Sequence, residues 1–308
     1  MKYAIISDIH GNLSALRAVL QDAEKANVDK YIYVGDYFLS LPYPNQVVEE
    51  LKNNKKAYIV CGNEESYISW LSKQDKQDWT DGQFGISYWC FDEMTNDTKE
   101  FLTSLPKELA ITDFETKIHI THSSKAFFGD VEMQRFSGAC IDDEYKETII
   151  NRAKIQNYID SVLDTDKIFN ESLGKLDDGV YIFGHSHVQW HSMKNGKLFI
   201  NPGSCGLPVD FVSGAPYTIL NIAEDDISVD ERRVEYDVEE TIKTLQSSGA
   251  YKKAKVWCDV IIKELRTNRE HLSSFLEYAE AYANKINDHI RPFTIKTWCD
   301  AYDDWITL

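Results

Sequence analysis

Six short apolar runs in this chain stop abruptly at Asp, Asn or His, and that repeated ending dictates much of what it can fold into. Residues 3–7 lead into Asp8 and His10, YIYVGD ends at Asp36, AYIVCGNEE carries Asn63, KIHITHSS carries His122, VYIFGHSHVQ carries His185 and His187, and KLFINPGS carries Asn201. Leu13, Leu16, Val19 and Leu20 recur at helical spacing after the first run, and residues 47–51 read as helical after the second. The grammar is strand, polar loop, helix, which predicts a parallel α/β sheet. Loops beyond the carboxyl ends of such strands share one crevice, so Asp8, His10, Asp36 and Asn63 are expected to converge there. The three later runs predict a second sheet.

Between those runs, residues 125–178 are charged and mostly helical in pattern, and are expected to flank or cap the crevice. From residue 238 to the end, aromatic and aliphatic residues recur with helical periodicity and no strand signal, which predicts a helical extension over 238–308. The 43% hydrophobic content is that of a globular protein. With 33 basic against 50 acidic residues the net charge is -17, which argues against a general nucleic-acid binder and requires a local positive centre for any small anionic substrate. Bound metal ions would supply one. The six cysteines form no CxxC pair and read as free thiols of a reducing compartment, and the start MKYAIISDIHGN reads as lacking a secretion signal. No apolar run reaches the roughly 20 residues of a membrane span, so the expected setting is the cytoplasm.

A hydrolytic site with two metal ions needs oxygen and imidazole ligands and a carboxylate placed between the ions. Asp8 and His10 are two residues apart on one loop, as are His185 and His187, so each pair can reach one ion; Asp36 is the expected bridge and Asn63 a neutral oxygen donor. The segments SDIHGN, VGDYF, CGNEES, ITHSS and FGHSHV, in this order, resemble the calcineurin-like metallophosphoesterase superfamily pattern of D-x-H, G-D, G-N-H-D or G-N-H-E, a lone H, and G-H-x-H. NPGSCGLP with ERRVEYDVE looks like its continuation in the small bacterial and archaeal phosphodiesterase branch, so the resemblance covers about residues 1–238.

The resemblance implies a four-layer α/β/β/α sandwich over residues 1–237, followed by the helical extension. It also implies two metal ions, Mn²⁺ or Fe or an Fe³⁺/Mn²⁺ pair, and a hydroxide shared between them as nucleophile. Asp8, His10, Asp36 and His187 would hold one ion, and Asp36, Asn63, His122 and His185 the other. The catalytic set is then Asp36, Asn63, Glu64 and His122, with Asn12, Glu64, Tyr67 and His187 as substrate contacts. Glu64 stands where the pattern has His, and a carboxylate beside two metals is a poor proton donor unless it is desolvated. That favours leaving groups of low pKa.

The expected substrates are therefore small phosphodiesters or nucleotide polyphosphates, the activity of similar streptococcal-type hydrolases of ATP, diadenosine polyphosphates and phosphodiesters, which share the missing His and the long tail. Phosphomonoester or protein phosphatase activity and a non-catalytic protein-binding scaffold are the alternatives. Tyr67, Trp70, Tyr37 and Phe38 are expected to offer rings for stacking. Asn12 either orients phosphate or closes its turn, and Asn201 and Ser204 are expected to hold the neighbouring histidine loop. His119 reads as a strand residue, His191 as a surface residue or a support to the ligands, and His271 and His289 as solvated or capping. Cys61 and Cys205 read as small buried hydrophobes, and Trp257, Trp298 and Trp305 as core.

Overall fold

The structure, a computed structural model, describes residues 1–76, 79, 82–146, 150–224 and 226–307. In chain order it opens with β1 (Lys2–Ile6), α1 (Leu13–Lys25), β2 (Lys30–Tyr33), α2 (Pro44–Asn53) and β3 (Ala57–Ile59), then α3 (Asn63–Leu71), α4 (Gly85–Glu93) and α5 (Asn96–Ser104). A hairpin of β4 (Glu108–Asp113) and β5 (Thr116–Thr121) leads into five helices: α6 (Lys125–Phe128), α7 (Val131–Arg135), α8 (Gly138–Tyr145), α9 (Arg152–Thr165) and α10 (Lys167–Leu173). Next come β6 (Gly179–Ile182), β7 (Gln189–Lys194), β8 (Lys197–Pro202), β9 (Ala215–Ile222) and β10 (Ile227–Val234). The tail holds α11 (Val238–Ser247), α12 (Gly249–Lys253), α13 (Lys255–Thr267), α14 (Leu272–Lys285) and α15 (Ile295–Trp305).

The strands form two mixed five-stranded sheets, ordered β10-β9-β1-β2-β3 and β4-β5-β6-β8-β7. Strand alternation explains the layers. Along β1, Tyr3 and Ile5 face the other sheet while Ala4 and Ile6 face helices; along β6, Val180 and Ile182 face inward while Tyr181 packs under helices. Both faces of these strands are buried, so the runs are apolar throughout. Helices α1 and α2 cover the outer face of the first sheet, and α6–α10 cover that of the second. This is the expected four-layer α/β/β/α sandwich. Helix α1 forms because Leu13, Leu16, Val19 and Ala23 recur on one buried face and Asn12 caps its first turn, accepting from Ala15 N at 3.1 Å.

The 125–178 segment is helical throughout its described elements. In the tail, Ile242, Leu245, Cys258, Ile261 and Leu265 of α11 and α13 share the main core with α1 and α2, while Phe275, Ala279 and Trp298 form a small core of their own with α13. Four strands, β4, β7, β9 and β10, were not foreseen. Among the described residues no helix is long and apolar enough to cross a membrane.

Candidate metal centre

Every ligand loop leaves the carboxyl end of a parallel strand: β1 for Asp8 and His10, β2 for Asp36, β3 for Asn63, β5 for His122, β6 for His185 and His187. Adjacent loops are tied through their backbones, with Asp8 N donating to Gly35 O at 3.0 Å and His10 N to Asp36 O at 3.1 Å. Asp8, His10, Asp36, His185 and His187 all have φ between 52° and 73°, a left-handed conformation uncommon for residues with a Cβ. Such strain persists where surrounding structure over-determines it, and it aims the five side chains at one point. Gly62 packs tightly at that point: a Cβ there would stand 2.6 Å from Asp36 N and closer still to the Asp36 carboxylate.

Two donor sets result, Asp8 with His10 and His187, and Asp36 with His122 and His185, the ligand atoms of each lying within 4.8 Å of one another. His10 Nε2 is 3.0 Å from His187 Nε2, which is 3.4 Å from Asp8 Oδ1. His122 Nε2 is 3.2 Å from Asp36 Oδ2. The Asn63 amide lies 2.9 Å from both His122 Nε2 and His185 Nδ1, beside the second set. The far nitrogens are fixed by carbonyls, which only accept: His122 Nδ1 donates to Val34 O at 2.7 Å and His187 Nδ1 to Leu207 O at 2.9 Å. Each Nε2 is thereby held for a cation. Asp36 and His10 also group with Glu64, which connects the two sets. Oxygen and imidazole donors of this kind, buried and convergent, fit two divalent ions.

Electrostatics agree. Burial resists the charge on Asp8, but the hydrogen bond and charge of His187, with His122 and His10, hold its carboxyl well below the ordinary range. Burial likewise opposes a proton on His122, yet Asp36 and Asp8 hold it at about 10; His187 is kept at about 9 by Asp8. Burial pushes Glu64 well above the ordinary carboxyl value, aided by Asp36 and Glu65. Glu64 Oε1 lies 3.2 Å from His10 Nδ1, while its Oε2 is buried without a partner. Without metal bound, Glu64 is thus a desolvated carboxyl beside the two donor sets.

A cavity of about 350 Å³ opens over His10, Asp36 and His187, with Glu64 and Tyr67 in its wall. Other expected contacts lie elsewhere. Asn12 is 1% exposed and its amide is committed, Oδ1 capping α1 and Nδ2 donating to Gly206 O at 2.9 Å and Tyr236 Oη at 3.2 Å; it closes its turn. Tyr37 and Phe38 are core residues, because the left-handed turn at Asp36 sends them beneath the loop, where the Tyr37 hydroxyl donates to Val60 O. Trp70 lies behind Phe84, ring centroids 5.6 Å apart, and does not line the cavity.

His119 is on β5, stacked on Tyr181, and His191 binds Glu231 away from the centre. His271 stands at the start of α14. Asn201 donates to Gly184 O at 2.9 Å, and Ser204 to Asp8 O at 2.7 Å. Cys205 is buried and Cys61 half-buried. Trp257, read as core, lines the cavity.

Two supporting carboxylates were missed. Glu65, at the third position of α3, accepts from Gly62 N at 2.6 Å, Asp36 N at 3.1 Å and Tyr37 N at 3.1 Å, pinning the β2 and β3 loops together. Its place after G-N-E was the available signal. Glu132 of α7 is fully buried behind the histidine loop, accepting from Ser186 Oγ at 2.7 Å and from Asn201. It sits in a charged helical stretch with no motif to mark it.

Comparison with known proteins agrees with this geometry. Residues 1–225 match the calcineurin-like phosphoesterase superfamily domain. The chain is 26% identical over 257 residues to an uncharacterised protein of Methanocaldococcus jannaschii, covering 79% of this chain and 90% of that one. Its fold is similar to a metallophosphoesterase from Sphaerobacter thermophilus (TM-score 0.59, 21% identity, 87% of this chain and 100% of that). It is also similar to a hypothetical protein from Pyrococcus horikoshii (TM-score 0.57, 16% identity, 84% and 97%). With two mixed sheets, five ligand loops at their shared edge and a family match over most of its length, the chain belongs to the calcineurin-like phosphoesterase superfamily and is a metal-dependent phosphoester hydrolase.

Proposed function

We propose that this protein is a cytoplasmic hydrolase of small phosphodiesters or nucleotide polyphosphates, working with two ions drawn from Mn²⁺ and Fe. The observation that carries the reading is the pair of donor sets, linked by the group of His10, Asp36 and Glu64, beside a cavity of small-molecule size. Asp8, His10, His187 and Asp36 would hold one ion, and Asp36, Asn63, His122 and His185 the other. Ions so placed lower the pKa of water and neutralise phosphate oxygens.

The chain's own residues do the rest. Glu65 and Glu132 keep the loops in register, and the carbonyls of Val34 and Leu207 orient the two imidazoles. Glu64, desolvated and with a free Oε2 at the cavity wall, is placed to carry a proton for the departing oxygen. A cavity roofed by the C-terminal helices suits a small ester better than a folded phosphoprotein. The six free thiols support the cytoplasmic setting, and the charge of -17 supports the exclusion of nucleic-acid polymers.

The test is hydrolysis of an aryl phosphodiester, an aryl monoester, ATP and diadenosine tetraphosphate with added Mn²⁺. Wild type is expected to favour the diester and anhydrides over the monoester, and Asp36→Ala to lose about a thousandfold or more. Glu64→Gln is expected to slow diesters of poor leaving groups more than aryl ones. A monoester preference would move the assignment to a phosphatase, and no turnover at all to a scaffold.

A further inference from the structure

The geometry points to the cavity between the metal ligands and helices α13 and α14 as a binding pocket for the departing alcohol of a phosphodiester, an alcohol that is apolar and neutral or cationic. This deepens the reading above and rests on it. The lining joins the ligand cluster and Glu64 to Trp257 and Ile261 of α13 and Leu272 and Leu276 of α14. The extension therefore builds part of the pocket. About 350 Å³ accommodates one ring-sized group.

Outside the metal ligands the lining is acidic. Glu64, Glu264 and Glu270 contribute carboxyls, of which burial holds Glu64 well above the ordinary range and Glu264 at about 8, and no Lys or Arg is among the described lining residues. Beyond reach of the ligand cluster, an anionic substituent would meet Glu270 and no Lys or Arg, whereas a cation there gains that carboxylate and the rings of Tyr67, Phe84 and Trp257. These groups are held in place. Glu264 Oε1 accepts from His271 N at 2.9 Å and Leu272 N at 2.8 Å, Glu270 Oε1 accepts from Ser273 N at 2.9 Å, and Trp257 Nε1 donates to Ser40 Oγ at 3.2 Å. Glu64 Oε2, nine-tenths buried and without a partner, remains for the ligand.

A second groove, which shares Asn63 and His185 with this cavity and also holds His122, is lined by Lys107 and Lys125 together with Glu65, Glu108 and Asp130, the last paired with Lys125 at 3.1 Å. The centre thus borders two spaces, one for each arm of a diester, and the lysines stand only in the second.

The experiment compares three methyl aryl phosphates with para-aminomethyl, para-methyl and para-carboxymethyl groups, whose leaving-group acidities are similar. Mn²⁺-loaded wild type is expected to give kcat/KM for the cationic and neutral esters at least about tenfold above that of the anionic one. Glu270→Gln, which keeps the oxygen that accepts from Ser273 N, is expected to narrow the cation-to-anion ratio several-fold, and Trp257→Leu to raise KM for all three. Equal turnover, or preference for the anion, overturns the pocket assignment and leaves the phosphodiesterase reading intact. If no ester is turned over, that reading falls instead. Calorimetric binding of the matching methyl arylphosphonates then decides the pocket: the same charge order upholds it, and no binding or the reverse order overturns it.

Discussion

Burial alone would strip the protons from His122 and His187, yet Asp36 and Asp8 hold their pKa values at about 10 and about 9 in the metal-free protein. A ligating imidazole must be neutral, so Mn²⁺ uptake near pH 7 is expected to release about two protons and to weaken steeply as pH falls. Calorimetry in buffers of different ionisation enthalpy reads that release directly. The sign for stability is opposite to the carboxylate case. Raised histidine pKa values stabilise the metal-free fold fully below pH 6.5, and that contribution is lost as pH rises through about 9 and 10. Thermal unfolding of the chelated protein is expected to show the decline between pH 7 and 10, and Mn²⁺ to reverse it. The seven candidate ligands were legible as an ordered set because each follows an apolar run. Tyr37 and Phe38 were read as stacking rings and Asn12 as either a phosphate contact or a turn residue, because their side-chain directions depend on a left-handed turn and a helix cap, which a loop sequence does not reveal.

The loops act as elements only when Glu65 ties them together. Glu65→Ala would leave three backbone N–H groups without acceptors, at about 1–3 kcal/mol each where they stay buried. A lowered unfolding midpoint together with weaker Mn²⁺ binding is the expected outcome, while Glu65→Gln is expected to keep most of both. Gly62→Ala is expected to disturb the Asp36 carboxylate more than the fold, so circular dichroism should be near wild type while metal content falls. Strands β1, β2, β3, β5, β6 and β8 were readable because each carries an apolar run that stops at a polar loop, with both faces buried in β1, β6 and β8. Strand β10 was not, because ISVDERRV lies at a sheet edge with mostly polar, partly exposed side chains.

The tail illustrates what periodicity alone leaves open. Its helices were legible, but which faces they cover was not: Ile242, Leu245, Cys258 and Ile261 complete the main core, and Trp257 reaches the metal cavity. Ending the chain at residue 237 would remove those side chains and uncover the core residues packed against them, each large apolar one worth about 1.5–3 kcal/mol of burial. Such a truncation is expected to aggregate or unfold at lower temperature rather than behave as an independent domain, a result that soluble yield and calorimetric unfolding will read. The paired donor sets are the feature on which the whole account depends. Elemental analysis after Mn²⁺ loading and dialysis, on wild type beside Asp36→Ala, counts the ions. Two equivalents per chain in wild type and near none in Asp36→Ala are expected; one or none in wild type, or two retained without Asp36, would refute a shared binuclear centre.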